Sequence, residues 1–193
     1  YSTEKLCQIF HMDMEKKPKN LESMLAFRML GIKGNQAEEF VKADIVVKTI
    51  RIEANGTIKQ SMSFPTFKFT DIIQEDWEDS DFANYLRETR FLFVVYRFAD
   101  DGKLYLKGCQ FWNIPYEDLE VEARSVWEKT KRIIQDGLQF YKDDKGRYHN
   151  DLPKMKDNRV AHVRPHGRDS KDTYPLPDGR AYPKQCFWLN NSY

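Results

Sequence analysis

Helical and strand periodicities alternate along this chain. Residues 3–10 carry Leu6, Ile9 and Phe10 on one helical face behind Thr3, a residue that can cap, and predict a short helix. A polar stretch with Pro18, residues 13–20, reads as a loop. Residues 21–30 set Leu21, Met24, Leu25, Phe27, Met29 and Leu30 into a second helix, stopped by Gly31, and Gly34-Asn35 reads as a turn. Residues 43–52 are β-branched and apolar with interleaved charges, which predicts a strand. Side chains alternate across a strand, so Asp44, Val46, Lys48 and Ile50 share one face and Ile45, Val47, Thr49 and Arg51 the other. Asn55-Gly56 signals a hairpin, with a return strand over 57–64 that Pro65 interrupts and that resumes at 67–69.

Acidic residues then cluster at 71–81, a solvated helix face on this reading, and 80–90 is helical. Phe91 to Tyr96 is a near-continuous apolar run, the pattern of a central strand buried on both faces. Asp101-Gly102 turns the chain into a strand over 103–112. Pro115 opens a long amphipathic helix over 119–138, with Val126, Trp127, Ile133 and Ile134 inward and Gly137 near its end. Residues 141–157 are polar and turn-rich and predict a mobile loop. Short strands at 160–164 and 185–189 flank a hairpin turning at Gly179. No internal repeat or low-complexity segment is present. Helices, hairpin, strand pair, long helix and strands in that order predict an α+β, mixed-sheet domain.

A length of 193 residues suits one domain, and 40% hydrophobic residues with 13 Phe and 10 Tyr suffice for a substantial core. A net charge of +1 restricts any nucleic-acid site to a local patch. No apolar run of membrane-spanning length and no secretory signal is seen. Cys7, Cys109 and Cys186 form neither a zinc spacing nor a disulfide framework, and the default setting is reducing and cytoplasmic.

Chemistry enters at residues 38–52. Acids lead in at Glu38 and Glu39, and a Lys sits on the strand itself, the outline of a metal-dependent nuclease core. There, an upstream acid and an acid two residues before the Lys hold Mg²⁺, and the Lys stands beside the attacking water. Val46 occupies the second acid's place and offers no oxygen. Asp44 lies four residues from Lys48, roughly 13 Å at about 3.3 Å per residue, too far to share one metal unless the strand bulges. The stretch looks like a nuclease strand with its metal ligand removed.

The densest charge lies at 154–171: Lys154, Lys156, Arg159, Arg164, Arg168 and Lys171, with His162 and His166 between them. Arg164-Pro165-His166-Gly167-Arg168 leaves a strand. Arg can take guanine O6 and N7 in a bidentate pair, and Gly allows close backbone approach. From composition alone an ordinary solvated basic loop is the better explanation of this patch. The two His have no suitable third ligand for zinc. No Walker-type loop and no Ser-centred nucleophile elbow are present. Cys186, inside an apolar strand, reads as a buried structural thiol.

The run from Asp44 to Ile52, then Gly56, Trp77, the 90–96 strand, the 117–137 helix, Val163-Arg164-Pro165 and Phe187 to Asn191 occur in one order. That ordered set, over about 21–193, resembles the family of the mismatch-repair nicking endonuclease MutH and the type II restriction endonucleases that cut GATC. His162 to Arg168 and Gln185 to Asn190 bring it nearer the restriction-enzyme branch. The resemblance implies a restriction-endonuclease-like core: a central mixed sheet flanked by helices. The family's nuclease Lys falls on Lys48, its upstream acid on Glu39 and its second acid on Val46, a departure. A further family Lys falls on Thr89, a second departure. Asp44 is the remaining acid of the degenerate centre.

The family's base-reading loop falls on Arg164 and Pro165, with Gly167, Arg168 and Lys171 following, and its late DNA-touching aromatic falls on Trp188. The parts that face DNA are kept better than the parts that cut. The resemblance therefore implies the non-cutting C-terminal effector domain of a longer, two-domain GATC-specific enzyme. Its partners would be GATC-containing double-stranded DNA and a second, catalytic domain of the same polypeptide. Mg²⁺ would serve the cutting domain, with no metal bound here. Two other readings stay open: an active Mg²⁺ endonuclease that uses Glu39 and Asp44 through a bulged strand, and a protein-interaction domain whose basic loop is incidental.

Overall fold

The computed structural model describes residues 1–13, 18–32 and 38–193, without the side chain of Glu39. Its helices are α1 (Thr3–Ile9), α2 (Leu21–Met29), α3 (Glu38–Lys42), α4 (Phe69–Ile72), α5 (Asp81–Glu88) and α6 (Arg124–Asp136). Its longer strands are β1 (Ile45–Ile52), β2 (Met62–Phe67), β3 (Arg90–Phe98), β4 (Leu104–Trp112), β7 (Ala161–Pro165) and β10 (Gln185–Leu189). Short hairpins join β5 (Phe140–Lys142) to β6 (Tyr148–Asn150) and β8 (Thr173–Pro175) to β9 (Ala181–Pro183). The chain divides into two compact units, Tyr1–Gln60 with Glu88–Asn113, and Ser61–Arg87 with Ile114–Tyr193. The expected Gly34-Asn35 turn lies outside the described residues.

The first unit is built on a mixed sheet of order β1-β3-β4, parallel between β1 and β3 and antiparallel between β3 and β4. The apolar run at 91–96 takes the centre, as its pattern predicts, with Phe91, Leu92, Val94 and Tyr96 buried. One face, through Val94 and Tyr96, meets Leu6 and Cys7 of α1 and Leu21, Leu25 and Ala26 of α2. Burying a side chain of this size contributes about 1.5–3 kcal/mol. The cap of α1 is Ser2, whose hydroxyl accepts the Lys5 N–H at 3.2 Å, and not the expected Thr3, which is buried inside the helix. Gly31, at φ 73°, ends α2: the Ile32 N–H reaches back to the Phe27 carbonyl at 2.9 Å.

Asn55-Gly56 turns as expected, with Gly56 at φ 86°, but the predicted hairpin does not follow. Only a single bridge, Ile52 to Ile58, forms, and β2 pairs with β10 instead. The turn chemistry is local, whereas the choice of partner strand depends on which face is buried.

In the second unit, the antiparallel sheet has order β2-β10-β7. Pro65 does not break β2. It is exposed on an edge strand, beside the register shift between Cys186 and Trp188, where a missing N–H is tolerated. Phe82 of α5 stacks on Phe187 of β10 at 4.0 Å, and α6 buries Val126, Trp127, Thr130 and Ile134. A π-helical stretch, Asp118–Ala123, leads into α6, and Gly137, at φ 94°, closes it.

The acidic stretch at 71–81 is not one helix face. It breaks at a 3₁₀ turn, Trp77–Asp79, and Ser80 then starts a new helix by accepting the Ala83 N–H at 3.2 Å. Nor is 141–157 a loop. Asp143 accepts the backbone N–H groups of Lys145 and Arg147, each at 2.9 Å, and organises the β5–β6 hairpin. Among the described residues no helix is long and apolar enough to cross a membrane. The whole is α+β with a mixed sheet flanked by helices, the class its element order predicts.

Candidate nucleic-acid interface

The second unit carries the basic residues at the exit of β7. Arg164 and Pro165 end that strand and are exposed, and β10 lies beside it in register, with Cys186 opposite Arg164 and Trp188 opposite His162. Trp188 donates its indole N–H to the Arg164 carbonyl at 3.3 Å, and the Arg164 guanidinium lies 5.0 Å from the centre of the Trp188 ring. His166 meets the same ring edge-on at 5.3 Å. A guanidinium over an aromatic face is held in place while its N–H fork stays available.

The loop that follows is held by one carboxylate. Asp172 accepts the Arg168 backbone N–H at 3.0 Å and pairs with the Lys184 ammonium at 2.6 Å. The Arg168 N–H first, and Lys184 next, hold the Asp172 carboxyl below the usual range. Backbone bonds from His166 N–H to the Lys184 carbonyl and from Lys184 N–H to the Asp172 carbonyl close the loop onto β10. A β-carbon at Gly167 would stand 3.0 Å from the Asp172 carbonyl oxygen and 3.1 Å from its Cβ. This is the close approach that Gly permits. Arg168 and Lys171 point out of this frame, with the Arg168 side chain 87% exposed.

Two of the clustered cations do other work. Arg159 pairs with Asp118 and with Glu122, and Lys154 donates to Asn150 Oδ1 at 2.6 Å, its ammonium pushed down by burial. His162 is buried, donates through Nδ1 to Asn190 Oδ1 at 2.6 Å, and has its pKa lowered by burial. The exposed remainder is Lys156, Arg164, Arg168 and Lys171. Asp172 and Lys184 escaped the sequence reading. An Asp five residues after Gly167 hints at a turn, but nothing in the sequence links Lys184 to it.

The first unit holds Asp44 and Lys48. Helix α3 ends just before β1, and Asp44 sits between them in the left-handed backbone region at φ 50°, which Asp tolerates. It lies before the strand, so the alternation that would place it on the Lys48 face does not reach it. β1 pairs with β3 one-to-one from Ile45–Arg90 to Ile52–Arg97, without the bulge that could bring Asp44 to Lys48. Lys48 is half-buried opposite Phe93, and Val46 is opposite Phe91. Paired residues share a face, so the Lys48 face is aromatic: Trp112 lies 5.5 Å from Phe91 and 5.3 Å from Phe93. Thr89, at the family's further Lys position, is buried, and its carbonyl accepts the Asn113 amide at 3.2 Å. The Glu39 side chain lies outside the described residues.

Mg²⁺ takes oxygen ligands, usually only one or two of them carboxylates, and among the described residues no group of three or more His, Cys, Asp or Glu could hold a metal.

The chain matches no family model. Its sequence is 34% identical over 232 residues to the type II restriction enzyme Sau3AI of Staphylococcus aureus, in an alignment covering 100% of this chain and 47% of that enzyme. The chain is a restriction-enzyme relative. It spans about half the length of that curated relative.

Proposed function

We propose that this chain is the DNA-binding effector domain of a GATC-specific, MutH-like type II restriction endonuclease, a cytoplasmic protein whose cutting resides in a second domain of the same polypeptide. One contrast carries the reading. Arg164 is held on Trp188 and the following loop is pinned by Asp172, whereas β1 lacks an acid at Val46, is unbulged and faces aromatic rings. The similarity to a type II restriction enzyme over about half of its length supports the same division. In this reading Arg164 reads base edges, Pro165 and Gly167 bring the backbone close, and Arg168 and Lys171 take phosphates. Glu39, Asp44 and Lys48 are the remnant of a nuclease centre, and Mg²⁺ belongs to the cutting domain.

The test is one titration of a short GATC duplex against a scrambled duplex, with and without Mg²⁺. The expected result is preferential binding that falls steeply with salt, without cleavage. Cleavage by this chain alone would refute the effector assignment. Equal, weak binding to both duplexes would favour a protein-interaction domain.

A further inference from the structure

The hairpin of β8 and β9 sets two opposite charges across its open end. Thr173 pairs with Pro183 in register, so Asp172 and Lys184 are the next residues out on the two strands. The Lys184 N–H donates to the Asp172 carbonyl at 3.0 Å, and the Lys184 ammonium meets Asp172 Oδ1 at 2.6 Å. The same ammonium lies 4.6 Å from the centre of the Tyr174 ring. The second carboxylate oxygen, Oδ2, accepts the Arg168 N–H at 3.0 Å, and the Lys184 carbonyl accepts the His166 N–H at 2.8 Å. Both ends of the 166–168 segment therefore hang on this pair. His166 carries the hold onward, edge-on against the Trp188 ring over which Arg164 lies.

The charge of Lys184 is spent inside this frame. A lysine that serves a phosphate offers a solvated point charge, as the exposed Lys171 does. The side chains of Lys184 and Asp172 are each only 25% exposed, and together they add no net charge to the surface. Their effect is on the loop. A segment left free must be ordered at every binding event, and holding it beforehand removes that cost. The gain falls on base edges, which must be met in one geometry, more than on phosphates, which mobile cations can reach. Resting on the DNA-binding reading above, we propose that Asp172 and Lys184 are a positioning pair that sets sequence preference. They hold the 166–168 segment, and through His166 and Trp188 the Arg164 guanidinium, without touching DNA themselves.

The experiment measures binding of the whole chain to a GATC duplex and to a scrambled duplex over a series of salt concentrations. Asp172→Ala combined with Lys184→Met removes the pair at constant net charge. It should lower the preference for GATC about tenfold, the equivalent of one charge-assisted hydrogen bond, and leave the salt dependence as it was. The Arg168 amide, freed from Asp172, should exchange with solvent faster. Lys171→Ala is the contrast: it should weaken both duplexes alike and lower the slope of log K against log salt by about 0.9, one phosphate contact. Lys184→Arg, which keeps a cation for the carboxylate, should retain the preference. Melting curves verify that each variant is folded, and Asp172→Asn, a milder change, should move the preference in the same direction as the double variant. A folded double variant with full preference, or with a slope lowered as in Lys171→Ala, would overturn the positioning role and leave the DNA-binding reading standing. Absence of any GATC preference in the unaltered chain would overturn that reading, and this inference with it.

Discussion

Replacing Trp188 by Leu separates two roles for this aromatic, contacting DNA directly or holding Arg164. The structure favours the second, because the indole both accepts the guanidinium on its face at 5.0 Å and donates to the Arg164 carbonyl at 3.3 Å. A cation–π contact at an exposed site contributes about 0.5–1 kcal/mol, which is roughly a two- to fivefold change in an equilibrium constant. Trp188→Leu should therefore weaken binding to a GATC duplex by about that factor and leave binding to a scrambled duplex nearly unchanged. If Arg164 reads base edges as proposed, Arg164→Ala should cost about 1–3 kcal/mol of discrimination. If Trp188 acts through Arg164, the double variant should bind no worse than Arg164→Ala alone. The assay is a double-mutant cycle by fluorescence anisotropy at fixed salt, with melting curves for each variant because Trp188 also belongs to β10. Strict additivity of the two losses, at both duplexes, would refute the reasoning and restore Trp188 as an independent DNA contact.

Other consequences follow from the same geometry. Gly167→Ala would push the Asp172 backbone back by a few tenths of an ångström, where the new carbon meets it at 3.0 Å, so GATC binding should fall modestly while the melting temperature changes little; unchanged affinity would show that the loop does not need its pinned shape. Val46→Glu should not by itself yield Mg²⁺-dependent cleavage, because β1 is unbulged and Asp44 stands before the strand; appearance of nicked duplex would overturn the account of β1. His162 is held neutral by burial, so its folded pKa lies below the usual 6.5 and the unfolded chain binds the extra proton first. Stability should accordingly fall as pH drops through about 6.5, and His162→Gln should flatten that part of a melting-temperature profile; an equally steep profile in the variant would place the titration elsewhere.

Much of this architecture can be read from local pattern. The apolar run at 91–96 predicts the central strand, Asp101-Gly102 and Gly179 mark their hairpins, and the amphipathic spacing around Val126 and Trp127 gives α6, because periodicity and turn chemistry are properties of neighbouring residues. Arg164 and Gly167 stand out within the basic stretch, whereas Trp188 is brought out only by the family resemblance. What such patterns leave open is pairing. The Asn55-Gly56 turn is legible, but the strand after it joins β10, more than a hundred residues away, since register follows the face that becomes buried. The basic cluster is legible as composition, but only tertiary contacts decide that Arg159 is taken by Asp118 and Lys154 by Asn150, while Arg164 is set on an aromatic ring. Val46 by itself removes one metal ligand. That Asp44 stands before the strand, off the Lys48 face, was decided by the left-handed turn at Asp44 and by the unbulged register of β1 on β3, which belong to the sheet and not to the residues taken singly.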